Sequence, residues 1–295
     1  MTTFRILHRT AYSYSAPVAL GPHRLMVRPR DSHDLKVEET ALVIEPHPAS
    51  LRWVHDVSGN SVAIATFTGE TDHFMVESQL ELSHYGLVQP DLVLEEAEHW
   101  PFEYDAAELL DLMPYRQRLY PGTSAAVPRW AWDYARSLEG SDTQALLVGM
   151  MQHIRDALPY RRREEEGVQR PETTLESGGT CRDFAVLMME ALRCLGFATR
   201  FVSGYLYDPA ADPNEAEDAP AHVGGGATHA WLDVYLPGAG WVEFDPTNAL
   251  YGGADLIRIG TARSPESALP LTGTFAAEET ITSSMTVEVT VDKLA

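Results

Sequence analysis

Between residue 3 and about residue 86 apolar and polar positions alternate with a period of two, in FRILHRTAYSY, LKVEETALVIE, LRWVHD and HFMVESQLELS. Turn clusters at Gly21-Pro22, Pro46-His47-Pro48 and Ser58-Gly59-Asn60 separate these runs. The pattern predicts an antiparallel β domain over residues 1–95, folded as a small sandwich. Gln89 to Val127 is rich in acids and prolines and reads as a connecting region with at most short helices. The spacing then becomes helical. VPRWAWDYARSLEG has a proline at its start and Gly140 at its stop, and the next run has a cap at Ser141 or Asp142 with Leu147, Met150, Met151, Ile154 and Leu158 in one stripe. In GGTCRDFAVLMMEALRCLG, Phe184, Leu187, Met188, Ala191, Leu192 and Leu195 recur at three- and four-residue steps, which predicts a helix with one buried face and Cys181 in phase with it. ATRFVSGYLYD, THAWLDVYL and GWVEFDPT return to strand character. SMTVEVTVD, with Met285, Val287, Val289 and Val291 on one side, predicts a strand that joins a sheet with one face exposed. The fold class is therefore α+β: an N-terminal antiparallel β domain (1–95), a core of helices packed on an antiparallel sheet (96–275), and a C-terminal strand (276–295) that returns to a sheet.

Composition narrows the function. At 295 residues and 44% apolar content the chain can bury two unequal cores. Its 43 acidic residues against 22 basic ones give a formal charge of −21, which opposes nucleic acid and anionic membranes as partners. No stretch of ~20 apolar residues is present and no basic-then-apolar leader opens the sequence, so the expected location is cytoplasmic. There is no HExxH, CxxC, GxxxxGK[ST] or GxGxxG motif, and neither a cofactor nor a metal is expected. The two cysteines cannot pair: thirteen helical positions separate them by ~20 Å, against the ~4.4–6.8 Å between Cα atoms that a disulfide allows.

Cys181 then becomes the residue to explain. It follows Gly178-Gly179-Thr180 at a helix start, where free amides and the positive end of the helix dipole stabilise an anionic sulfur and can hold a developing oxyanion. A buried packing cysteine would occupy the same place, so a thiol nucleophile needs a base. Cys194 has neither the glycines nor the helix start and reads as core filler. His229 and Asp245 lie near opposite ends of two strands joined by Pro237-Gly238-Ala239-Gly240, and a hairpin brings them to the same end of the sheet. Register decides whether they meet. A four-residue loop pairing Leu236 with Trp241 puts them on opposite faces, whereas a loop that pairs positions summing to 476 makes them diagonal neighbours on one face. Asp233 shares the face of His229 but sits ~13 Å along the strand, too far to orient the ring. Glu243, with the parity of Asp245, is the reserve acid.

Four segments together resemble the transglutaminase-like branch of the papain-type cysteine enzymes. They are G-x-C-x-D-F-A at Gly179 to Ala185, Leu192 to Gly196 with Ala198, Arg200 and Val202 to Tyr205, H-A-W at 229–231, and W-V-x-x-D-P-T at 241–247. LHRTAYSYSAPV and DVSGN are similar to the β-rich region that precedes the core in bacterial members. The resemblance implies a papain-like core in which Cys181 is the nucleophile, His229 the general base and acid, and Asp245 the group orienting the imidazole. It further implies acyl transfer from a protein or peptide amide through a thioester, resolved by water in hydrolysis or by an amine in transamidation. A silent protein-interaction module on the same fold is the reading from another class; a metal site using Cys181, His229 and a carboxylate lacks a clear fourth ligand. Two departures from the family pattern are Thr180, where an aliphatic residue is usual, and the tail GTARSPESALPLTG, which leaves the far wall of the cleft open. The acidic stretch from 207 to 227 suggests a lid, or a calcium loop built from Asp208, Asp212, Glu215, Glu217 and Asp218; His222 within it has no assigned role.

Overall fold

The computed structural model describes residues 1–86, 95–122, 124–138, 140, 142–163, 167–212, 214–215, 219–253 and 255–294. A single long strand organises the first part of the molecule. In β1 (Thr2–Arg28) every second side chain turns inward over the first dozen residues, with Phe4, Ile6, His8 and Thr10 all buried. The strands β2 (Leu35–Glu45), β3 (Ser50–His55), β4 (Ser61–Thr66) and β5 (Glu70–His84) follow it. After them come the helices α1 (Ala106–Arg116), α2 (Ala126–Ser137), α3 (Thr143–Ala157), α4 (Pro171–Ser177) and α5 (Cys181–Cys194). A second set of strands, β6 (Thr199–Leu206), β7 (His229–Leu236), β8 (Gly240–Asp245), β9 (Leu250–Tyr251) and β10 (Leu256–Ala262), forms the antiparallel core sheet in the order β10-β6-β7-β8-β9. Finally β11 (Leu271–Ala276) and β12 (Ser283–Lys293) leave the core and pair with β1.

The N-terminal part is one curled antiparallel sheet, a half-barrel, and not the small sandwich that alternation suggested. Its order is β2-β5-β1-β4-β3, with β11 and β12 added to β1. Register shifts along β1, between Ser13 and Val18 and between Leu25 and Arg28, let its first half pair with β5 and β12 and its second half with β4 and β11. A second N-terminal sheet is unnecessary because the core sheet supplies the opposing layer. Phe4, Ile6, Leu80, Leu82 and Val289 bury against Tyr205 of β6, Tyr207 just after it, and Ile257 and Ile259 of β10.

Helix α5 also differs from its amphipathic prediction. Every residue from Asp183 to Arg193 is buried, because β6 and β7 cover one side and α2, α3 and α4 cover the others. Its polar members have internal partners: Glu190 accepts from the Leu119 amide at 2.7 Å, and Arg193 donates to the Thr199 carbonyl at 2.8 Å. Residues 95–122 are more than a connector. The segment carries the eleven-residue α1, and the buried Tyr104 accepts from the Ala198 amide (2.9 Å) while its hydroxyl donates to the Tyr235 carbonyl (3.0 Å), stitching this segment to β7. Within the described residues α3 is capped by Asp142, which accepts from the Ala145 amide. No helix among them is long and apolar enough to cross a membrane.

Candidate active site

The turn before α5 forces the chain against its neighbour. Gly178 has φ 76° and passes so close to Pro159 that a Cβ would lie 2.0 Å from its carbonyl oxygen, which explains a glycine there. Thr180, the departure from the family pattern, is the residue preceding the helix. Its amide and its hydroxyl both donate to Asp183 Oδ2 at 2.8 Å, and Asp183 Oδ1 accepts from the Gln169 amide at 2.8 Å. Arg163, 3.3 Å from the same carboxylate, compensates its buried charge. This arrangement holds the first turn of α5 rigid with Cys181 at its start, 7% exposed.

His229 and Asp245 come from the β7–β8 hairpin. Leu236 pairs with Gly240 and Tyr235 with Trp241, so the loop is Pro237-Gly238-Ala239 and paired positions sum to 476. His229 and Asp245 therefore share a face. Gly238 at φ 85° and Gly240 at φ 75° supply the left-handed backbone that so short a loop requires. His229 Nε2 donates to Asp245 Oδ2 at 2.9 Å, with both side chains wholly buried. Asp245 is held in turn by the Thr247 amide on Oδ1 (2.8 Å) and the Asn248 amide nitrogen on Oδ2 (2.8 Å). Beneath the imidazole, Trp231 stacks at 6.0 Å, and the opposing Gly204 leaves space for its indole.

Electrostatics favour a charged ring. Burial alone would hold His229 neutral, but Asp245 and then Cys181 act as opposing charges and raise its pKa to about 10. Asp245, which burial would push up, is instead held below the ordinary carboxylate range by His229 and its hydrogen bonds. The remaining ring nitrogen, Nδ1, makes no hydrogen bond of ordinary geometry, which leaves it available on the side where Gly224 approaches. Cys194 is half-buried within the main core, and burial raises its thiol pKa.

The other sequence candidates lie elsewhere. Asp233 is paired with Arg200 at 2.7 Å. Glu243 faces Arg258 at 3.9 Å, and burial beside Asp233 raises its pKa to about 8; it does not touch the imidazole. His222 pairs with Asp255 at 3.3 Å. In the acidic loop, Asp208 accepts from the Ala210 and His222 amides, while Tyr207 donates to Asp212 and Glu215; Glu217 and Asp218 lie outside the described residues. Among the described residues no group of three His, Cys, Asp or Glu side chains could hold a metal. The end of this loop leans on the site: the Val223 amide donates to Asn248 Oδ1 (2.7 Å), and Asn248 Nδ2 reaches both the Val223 carbonyl (3.2 Å) and Asp245.

Sequence reasoning missed four neighbours of this site. Asn248, three residues beyond Asp245, was signalled only by the Asp-Pro-Thr-Asn turn. Tyr160 forms a parallel bridge with Gly179, packs on Phe184 at 6.3 Å, and has its pKa raised by burial and then by Cys181; no local pattern marks so distant a partner. It opens onto a groove of about 1010 Å³ that is also lined by Arg162, the glycines 224–226 and β12. Arg182 and Thr228, the immediate neighbours of Cys181 and His229 in sequence, line a second groove of about 440 Å³. The divergent 260–273 tail supplies Leu269, Pro270 and Leu271 to its wall.

Comparison with known proteins agrees with this architecture. Residues 4–83 match the bacterial transglutaminase-like N-terminal region, and residues 133–246 match the transglutaminase-like superfamily. An uncharacterized protein of Mycobacterium tuberculosis is 27% identical over 92% of this chain and 86% of its own length. Another uncharacterized protein, from Mycobacterium leprae, is 32% identical over 38% of this chain and 37% of its own. A solved structure from Cytophaga hutchinsonii, described as a "putative cysteine protease", superposes on 100% of this chain and 91% of its own with a TM-score of 0.72; at 18% identity that likeness speaks for the fold alone. The chain belongs to the transglutaminase-like superfamily, with a bacterial transglutaminase-like N-terminal region joined to a transglutaminase-like core.

Proposed function

We propose that this protein is a cysteine-dependent acyl-transfer enzyme that hydrolyses peptide or isopeptide bonds, with Cys181 as nucleophile, His229 as acid and base, and Asp245 as the orienting carboxylate. The observation that carries the reading is the wholly buried His229–Asp245 bond of 2.9 Å on a ring whose charged form is favoured by Cys181. A fold kept only for binding has no use for that arrangement. The thiolate attacks the amide carbonyl, the C–S bond forms, and the negative charge on oxygen is received by free amides of the first turn of α5. As the C–N bond breaks, the imidazolium gives its proton to the departing amine. The neutral imidazole then takes a proton from water, whose oxygen attacks the thioester; the C–S bond breaks, releasing the acid and restoring the ion pair.

Hydrolysis needs no second binding site. The two grooves near the site leave transamidation as a second reading, since one can hold the acyl donor and the other an amine. The Cytophaga protein's description is consistent with the first reading. Iodoacetamide at neutral pH tests the nucleophile: Cys181 is expected to be modified at least tenfold faster than Cys194, whose thiol burial holds protonated. Equal rates would refute it. A glutamine donor mixed with a labelled primary amine then separates the two resolutions of the thioester.

A further inference from the structure

Arg182 follows Cys181 in the first turn of α5 and is half-buried. It lines two cavities at once, a small one of about 50 Å³ beside His229 and Ser203 and the groove of about 440 Å³ whose walls come from β1, β11 and β12. Among the other half-buried arginines of the core, Arg116 donates to the Gly196 carbonyl at 2.9 Å and lies over the Tyr104 ring, and the rest each have a carboxylate: Arg118 with Glu190 at 3.3 Å, Arg163 with Asp183 at 3.3 Å, Arg200 with Asp233 at 2.7 Å and Arg258 with Asp34 at 3.1 Å. Arg182 has none among the described residues, in a chain with 43 acidic residues to choose from. Glu266, on the wall of the small cavity, is exposed and beyond ion-pair distance. Within the larger groove the other ionisable basic groups are His8 and His23, and burial pushes both toward the neutral form. The groove is otherwise tyrosine, hydroxyl and apolar surface, so the guanidinium is its one formal charge among the described residues.

A guanidinium drawn partly out of water with its five donors unmatched is suited to a planar carboxylate, which it can bind by two parallel hydrogen bonds. Being adjacent to Cys181, it lies within reach of groups close to the reacting carbon. We propose that Arg182 anchors a carboxylate on the acyl donor, and that the substrate class is peptides or isopeptides with a carboxylate within one residue of the scissile carbonyl, such as γ-glutamyl amides. The proposal rests on Cys181 being the nucleophile, and its test is chosen to stand apart from that reading.

The Cys181→Ala protein is titrated by calorimetry with γ-glutamyl anilide and with the same compound bearing an α-carboxamide. The carboxylate form is expected to bind about tenfold tighter, as a charge-assisted bidentate contact provides. Adding Arg182→Gln removes the preference, while Arg182→Lys keeps part of it, since a point charge attracts without the fork geometry. Thermal unfolding checks that each variant is folded; if Arg182→Gln is not, the Lys variant and the two ligands decide. Equal binding of the two ligands, binding of neither, or a preference that survives Arg182→Gln overturns the proposal. Selective alkylation of Cys181 alongside such a result would leave the nucleophile in place and refute only the anchor.

Discussion

Replacing Asp245 by Asn removes one charge from the buried pair with little change in shape. At 2.9 Å, opposite unit charges attract by about 6 kcal/mol at an effective dielectric constant of ~20. That attraction is what overcomes burial and raises His229 to about 10. Without it, burial is opposed by the Cys181 sulfur alone, and the acid form of the ring becomes the minor one at neutral pH. The expected loss in kcat/KM at pH 7 is about 10³- to 10⁴-fold, equivalent to about 4–5.5 kcal/mol of transition-state stabilisation. The sign of the pH dependence follows from the need for an imidazolium to protonate the leaving amine. Activity is present below the folded pKa of His229 and disappears as pH rises through it, so the alkaline limb near pH 10 moves down by two or more pH units in the variant. A chromogenic anilide assayed from pH 5 to 11 reads both quantities, and thermal unfolding reports whether the fold survives. A loss below tenfold with an unmoved alkaline limb would refute the assigned roles.

His8 is 5% exposed, bonded through Nδ1 to Tyr205 and through Nε2 to Thr10, and burial lowers its pKa to about 4. Its folded form binds fewer protons than the unfolded chain, so its contribution is complete above pH 6.5 and is lost as pH falls toward 4, about 3 kcal/mol in all; urea unfolding across that window shows the slope, and His8→Gln flattens it. Gly178→Ala combines a left-handed backbone with a clash against Pro159, and is expected to cost about 3 kcal/mol or more in chemical denaturation, with slower alkylation of Cys181. Asp183→Asn leaves Arg163 without its carboxylate and weakens the start of α5, for a loss of about 3–5 kcal/mol by the same measurement.

Local periodicity found β2, β5, β7 and β8 because each alternates or is bounded by strong turns, and it placed α5 because its apolar steps begin at a glycine pair. It missed β4, where SVAIAT buries small residues on successive positions, and β11, whose sequence lacks alternation and whose place is set by β1. The all-round burial of α5 was not legible, since Glu190 and Arg193 read as a polar face until their partners on distant segments are known. For the site, parity reduced the question to one loop length, and the residues that support Asp245 and flank Cys181 required the assembled chain.

Strand β12 sets Phe4 opposite Lys293 and Tyr14 opposite Ser283. Contacts so remote in sequence demand closure of a very long loop, which is entropically late whatever the order in which the helices form. One wall of each groove is β12 itself. The thiol, imidazole and carboxylate all lie between residues 181 and 245, whereas the cleft beside them is completed by the most distant pairing in the molecule.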